Sequence, residues 1–315
     1  MKRLVLVLLS LILMSLLAVP ILAQDATAEA TAGMSQIAMS NGTTLAIIDG
    51  TGGGSSGMGN ELYSLSTDGK TGKSLKKFAQ SASYFNQVSW SPDGTRLLYF
   101  SVDSPGLLMT DADGGNVQTL PFPATLFDWA PDGKTVTAAS GGGGSWSVVN
   151  VGADMSDMKP VMTISGMDYL DYIRWSADGK WLAYVGTPTG NKDNDEELHI
   201  IDSTGSNDQV IVPAGKIERY AMWSPDGTQI AYIGEGGKAG KGLTIVDIAS
   251  KKTTVVAADA NAADWSPDGT QFAYASSAGK LFIVGVDGKK PTALKIPAEV
   301  KGQIVAIAWQ PQASS

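Results

Sequence analysis

Residues 223–233 read WSPDGTQIAYI, and the chain repeats that string along most of its length. Copies begin at Trp90 (WSPDGTRLLYF), Trp129 (WAPDGKTVTAA), Trp175 (WSADGKWLAYV) and Trp265 (WSPDGTQFAYA). A truncated copy, WQPQ, begins at Trp309, and a degenerate one, MSNGTTLAII, begins at Met39. Self-similarity with a period of ~40–50 residues marks a repeat architecture. Within the string, Pro presets φ at the second position of a turn. Asp hydrogen-bonds the turn backbone, and Gly takes the positive φ that closes it. The alternating apolar residues that follow, such as Ile230 and Tyr232, read as a strand. The Trp offers a large apolar face for packing between neighbouring sheets.

A second marker trails each first one: an extended apolar run ending in an Asp/Gly turn. The copies are LYSLSTDGK (62–70), LLMTDADGG (107–115), WSVVNVGAD (146–154), LHIIDSTGS (198–206), LTIVDIASK (243–251) and LFIVGVDGK (281–289). No stretch after residue 24 has helical periodicity long enough for a helix. Four strands per unit, in six units, predict an all-β fold: a six-bladed β-propeller of four-stranded antiparallel blades. The strand at Gln303–Trp309 is expected to close the ring by pairing with the first blade, which leaves no open edge. A seven-bladed alternative needs a nearly complete extra unit, of which only that one strand is present.

The WSPDG-x-x-(I/L/F)-A-Y string followed by (L/I)-x-(I/V)-x-D resembles the WD40-like Pro-Asp repeats of TolB-type propellers. The resemblance covers residues 35–310. It implies the propeller fold and leaves function open. TolB itself carries an N-terminal α/β domain ahead of its propeller, and this sequence has only a short linker there. A role in the Tol–Pal envelope system therefore does not follow from the resemblance.

Residues 1–23 have Lys2 and Arg3, then an apolar stretch broken at Pro20, and read as a secretory signal peptide cut after Ala23. An uncleaved anchor is the alternative. Residues 24–34 are Ala/Thr-rich with no apolar face and read as a flexible linker, and 311–315 as a tail. The chain is therefore expected in the periplasm or secreted, as a monomer with no membrane span after cleavage. It has no Cys, which excludes disulfides, thiolate metal sites, a Cys nucleophile and a lipoprotein anchor. His199 is the single His, so no multi-His metal site exists. The excess of Gly, 37 of 315 residues, fits a turn-rich repeat. The 31 Asp and Glu outnumber the 23 Lys and Arg, which argues against nucleic acid.

Gly53–Gly57 matches G-x-S-x-G but lies in a Gly/Ser run between strands, without the strand–turn–helix context of a nucleophile. Gly141–Gly144 is a loop of the same kind, and His199 reads as a strand histidine. Asn191, Asp193, Asp195 and Glu197 alternate like a calcium loop, yet Glu196 stands where that loop needs Gly. A solvated hairpin is the plainer reading, and no cofactor is expected beyond a faint calcium signal near Asp193 and Asp195.

Positions shared by all units build the scaffold, so function is expected where units differ. Four residues before each Trp stand Asn86, Thr125, Asp171, Arg219, Asn261 and Val305. Immediately before each Trp stand Ser89, Asp128, Arg174, Met222, Asp264 and Ala308. Units four and five add Asp168, Tyr169, Tyr172, Glu218 and Tyr220. The candidate binding set is Asp128, Asp171, Tyr172, Arg174, Glu218, Arg219, Tyr220 and Asp264 at one channel mouth. Its mixed polarity suits an envelope or extracellular protein, a peptide or a glycan. The competing role for these residues is inter-blade bonding. The functional expectation is a non-catalytic exported propeller. The alternative is a propeller enzyme, a glycan lyase or hydrolase using channel carboxylates.

Overall fold

The computed structural model describes residues 44–50, 59–82, 87–100, 107–120, 124, 126–154, 157–234, 241–296, 298, 300 and 303–311. The signal peptide, the linker, the copy opening at Met39, Gly53–Gly57, Asn86, Thr125 and residues 312–315 lie outside them. All described residues fall in the compact unit Met39–Ser315.

Each repeat folds into an antiparallel meander. The first contains β1 (Thr44–Gly50), β2 (Gly59–Ser66) and β3 (Gly72–Ala82). The second is β4 (Val88–Trp90), β5 (Arg96–Phe100), β6 (Leu107–Asp111) and β7 (Gln118–Leu120). The third is β8 (Leu126–Trp129), β9 (Thr135–Gly142), β10 (Ser145–Gly152) and β11 (Lys159–Ser165). A seven-stranded sheet follows: β12 (Met167–Trp175), β13 (Trp181–Pro188), β14 (Glu196–Asp202), β15 (Gln209–Trp223), β16 (Gln229–Gly234), β17 (Gly242–Asp247) and β18 (Thr253–Ala257). The long β15 pairs with β14 through its first half and with β16 through its second, so this sheet is two four-stranded units sharing a strand. The last set is β19 (Ala262–Trp265), β20 (Gln271–Ala275), β21 (Leu281–Gly285) and β22 (Thr292–Ala293).

The terminal strand β23 (Gln303–Trp309) pairs with β1, setting Ile307 opposite Ile47, and completes the first sheet as β23-β1-β2-β3. The innermost strands meet in the cyclic order β23, β4, β8, β12, β15, β19 and back to β23. The fold is an all-β propeller. Among the described residues no helix is long and apolar enough to cross a membrane.

The turn chemistry is as the sequence predicts. In the second unit, Gly94 has φ +69° and donates to the Ser91 carbonyl at 2.8 Å. Asp93 Oδ1 accepts from Ser91 Oγ at 2.6 Å and from the Thr95 amide at 3.0 Å. Asp226 and Asp268 repeat the arrangement. The strand after each turn departs from the expected alternation. Leu97, Leu98 and Tyr99 are consecutive and all fully buried, as are Leu182 to Val185. Both faces of these strands are covered, because a neighbouring sheet packs on each side.

The repeat's Trp does more than fill space. In three units its indole N–H donates to a backbone carbonyl of the preceding unit: Trp90 to Ala308, Trp223 to Arg174 and Trp265 to Met222, at 3.0–3.1 Å; Trp175 donates instead to Thr137 Oγ1 at 2.7 Å. The turn glycine also touches its neighbour. A Cβ on Gly133, Gly179 or Gly269 would lie 3.9, 3.5 or 3.4 Å from the ring of Pro92, Pro131 or Pro225 in the turn before. Beside Gly227 there is open space, since the preceding turn carries Ala177 where the others carry Pro. Ala177→Pro should therefore raise stability by about 0.5–1 kcal/mol through the stiffer turn. A thermal melt checks this, and an unchanged or lower Tm would count against the equivalence of the turns.

Candidate functional site

The candidate residues separate into two groups. The first group fills the axis. Asp128 on β8 is buried, accepting from Ser89 Oγ at 2.8 Å and from the Trp175 amide of β12 at 2.9 Å. Asp264 on β19 is buried likewise and accepts from the Trp309 amide of β23 at 2.7 Å. Burial raises the pKa of both carboxyls, with Arg174 opposing. The Arg174 Nε lies 3.9 Å from Asp128 Oδ1. Burial disfavours the guanidinium charge, but Tyr172, Asp128 and Asp264 outweigh it and hold its pKa above the ordinary value.

Tyr172 is buried, which pushes its hydroxyl above the usual tyrosine range, and it meets Tyr220 edge to face at 5.5 Å. Tyr220 has φ +63°, a strained conformation for a bulky residue, and donates to the Val305 carbonyl of β23. Gln87 donates to the Phe127 carbonyl at 2.6 Å. Between these groups remains a void of about 10 Å³, room for one water at most. Asp128, Arg174, Asp264 and Tyr220 thus spend their polar groups joining inner strands, while the Tyr172 hydroxyl accepts from Arg174 of its own strand at 3.4 Å.

The second group is accessible. Asp171 is exposed on β12, and Glu218 and Arg219 are half-buried on the bulged centre of β15. Glu218 pairs with Lys241 at 3.1 Å. Glu196, at the start of β14, joins them. Burial pushes its carboxyl up to about 10; Asp171 and Glu218 add to the shift and Arg219 opposes it. The shift favours the neutral acid of Glu196 beside Asp171. Tyr169, two residues before Asp171, is 65% exposed. Asp168 accepts from the Gly190 amide at 3.2 Å and ties the neighbouring hairpin to this edge.

Glu196 was legible only as part of an acidic hairpin, because its partners come from strands distant in sequence. In that hairpin Asn191 Oδ1 accepts from the Asp193 amide at 3.0 Å, and Asn191 Nδ2 donates to the Asp195 carbonyl at 3.2 Å. Among the described residues no group of three or more His, Asp or Glu is set to hold a metal ion. Asn261 and Val305 serve the backbone: Asn261 donates its amide to Ala275, and Val305 is buried.

The class these features define is the TolB-like β-propeller. Among solved structures the chain is similar to TolB from Acinetobacter baumannii, at 19% identity and a TM-score of 0.67, over 85% of this chain and 67% of that one. It is similar to a chain of a nidogen/laminin complex at 11% identity and a TM-score of 0.60, over 84% of this chain and 97% of that one. A third similarity is to hydrazine synthase of Kuenenia stuttgartiensis, at 16% identity and a TM-score of 0.53, over 81% of each chain. At these identities the likeness is one of fold. No protein-family model matches the sequence, and no curated protein matches it.

Proposed function

We propose that this chain is an exported, non-catalytic propeller that binds a partner protein through the face bearing Asp171, Glu196, Glu218 and Arg219. The observation that carries the reading is the contrast between the two groups. The axial residues are occupied by one another, whereas Asp171, Arg219 and the exposed Tyr169 present charge, hydrogen-bonding groups and an aromatic side chain to solvent. Tyr and Arg are the residue types enriched among the anchors of protein interfaces, and the carboxylates beside them set the charge of the partner. The signal-like residues 1–23 support export. The similar propeller from the nidogen/laminin complex comes from a protein–protein assembly, which agrees with this use of the fold.

The test substitutes Asp171, Glu218 and Arg219 together by Ala and compares partners captured from envelope extracts. Loss of interface anchors of this kind costs about 2–4 kcal/mol each, so the captured partner should disappear while the circular dichroism spectrum stays unchanged. Identical partners for wild type and variant would refute the site.

A second reading draws on Glu196 alone. A carboxylic acid kept protonated beside a carboxylate is the pairing that acid/base catalysis on a glycan uses. Turnover on a polysaccharide panel, abolished by Glu196→Gln, would favour an enzyme over a binding protein.

A further inference from the structure

The five complete turns share the pattern W-S-P-D-G with two departures. Ala130 replaces the Ser in the third unit and Ala177 replaces the Pro in the fourth. Both departures line the same hollow, of about 510 Å³, between the turns at residues 130–133 and 176–179. Its apolar walls are Pro131, Val161 and an edge of Trp175. It shares Asp132, Asn150, Val161 and Ser203 with an adjoining hollow of about 780 Å³, which continues past Lys134, Asp157 and Lys159. Together they form one groove at the turn-bearing ends of the inner strands, away from Asp171. The units differ from their own repeat where this groove is cut.

We propose that the groove is a carbohydrate site for a short neutral oligosaccharide. Each hollow is of the size that small-molecule sites occupy, ~300–1,000 Å³. The wall charges are of both signs and close together. Phosphate would face Asp132, Asp154, Asp157 and Asp178, and a polyamine would face Arg96, Lys134 and Lys159. A hydroxyl, which donates and accepts at once, suits both.

The polar groups are also available. Asn150 accepts from Thr137 through Oδ1, leaving its Nδ2 without a partner among the described residues. Ser203 Oγ and the Asp157 and Lys159 side chains have no hydrogen bond or ion pair to described residues either. Pro131 and Val161 give the inner lobe the apolar floor on which a sugar ring would lie. A peptide adding as a strand to β11 would meet Pro160, which has no N–H to offer.

Calorimetric titration of the purified chain with maltotriose, cellotriose and tri-N-acetylchitotriose tests the proposal. Asn150→Ala/Ser203→Ala removes polar groups shared by the two lobes. Asp157→Ala/Lys159→Ala removes polar groups from the outer lobe. At least one trisaccharide should bind wild type and bind each variant at least tenfold more weakly. Each groove variant should meanwhile keep the circular dichroism spectrum of wild type. The Asp171/Glu218/Arg219 variant should bind sugar as wild type does, which separates this site from the partner-binding face. The proposal is overturned if none of the three sugars binds up to ~10 mM, a level that detects even millimolar affinity. Affinity unchanged in both groove variants would overturn it as well, as would a groove that takes peptides instead.

Discussion

Asp264→Ala should lower stability by about 3–5 kcal/mol, the cost of removing one partner from a buried charged network. Its carboxylate accepts the Trp309 amide of β23, the strand that joins the two ends of the ring, and it is one of two carboxylates facing Arg174. Truncation leaves that amide and part of the guanidinium charge unmatched inside the protein. Asp264→Asn keeps an acceptor and gives up the charge, so it should recover much of the loss. Denaturant melts of the two variants separate the contributions. Hydrogen exchange should show the Trp309 amide opening earlier in the Ala variant. A loss below about 1 kcal/mol, as for an exposed ion pair, would show that β23 is held mainly by its pairing with β1.

His199→Ala should cost about 3 kcal/mol, through lost packing and through carboxylates left without their counter-charge. Nδ1 lies 3.1 Å from Asp208 Oδ1 and Nε2 lies 2.9 Å from Glu197 Oε2. Tyr184 stacks on the ring at 4.8 Å and donates to Asp208 Oδ2 at 2.7 Å. Burial opposes the imidazolium, but Asp208 and Glu197 outweigh it and raise the pKa of His199. A group raised in the folded state contributes fully below its unfolded pKa, ~6.5, and loses that contribution as pH rises through the folded value.

Asp208 behaves in the opposite sense. Burial works against its charge, while His199 and Tyr184 hold it below the ordinary carboxylate value. Its contribution is present above ~3.9 and fades as pH falls through the folded value. Stability should therefore peak between these limits. Glu196, raised to about 10, adds a decline with rising pH of the same sign as that of His199. The informative quantity is thus the difference between wild type and His199→Ala across pH 6–10. It should shrink as pH rises; a constant difference would show that folding leaves the imidazole unshifted, and a growing one that it is held neutral.

The parts of the fold legible in the sequence are those made by neighbours in the chain. Ser91-Pro92-Asp93-Gly94 closes on itself, so its string predicts its geometry. The count of repeats, with one spare strand at Gln303–Trp309, led directly to the pairing of β23 with β1. Contacts across the ring were not legible. The sequence places Asp128 and Asp264 in equivalent positions but does not show that each accepts the amide of the next unit's Trp. Arg174 and Tyr220 likewise reach other inner strands, to Asp128 and to the Val305 carbonyl. Glu196 lay hidden in a hairpin whose acids looked uniformly solvated, because its burial depends on β12 and β15. His199 read as an ordinary strand residue, and its partners Tyr184 and Asp208 come from β13 and from the connection just before β15. The groove depends on how the turns of two units lie against β10 and β11, which no local pattern encodes.

The claim that the Asp171 face receives a protein can be tested by contact. A photoreactive amino acid at Tyr169, which is 65% exposed beside that face, is activated in intact cells, and its adducts are compared with those from Val286, which is 36% exposed elsewhere. A discrete protein adduct from position 169, absent from position 286 and lost when Asp171, Glu218 and Arg219 are replaced, is the predicted result. No adduct from position 169, or the same adducts from both positions, would contradict it.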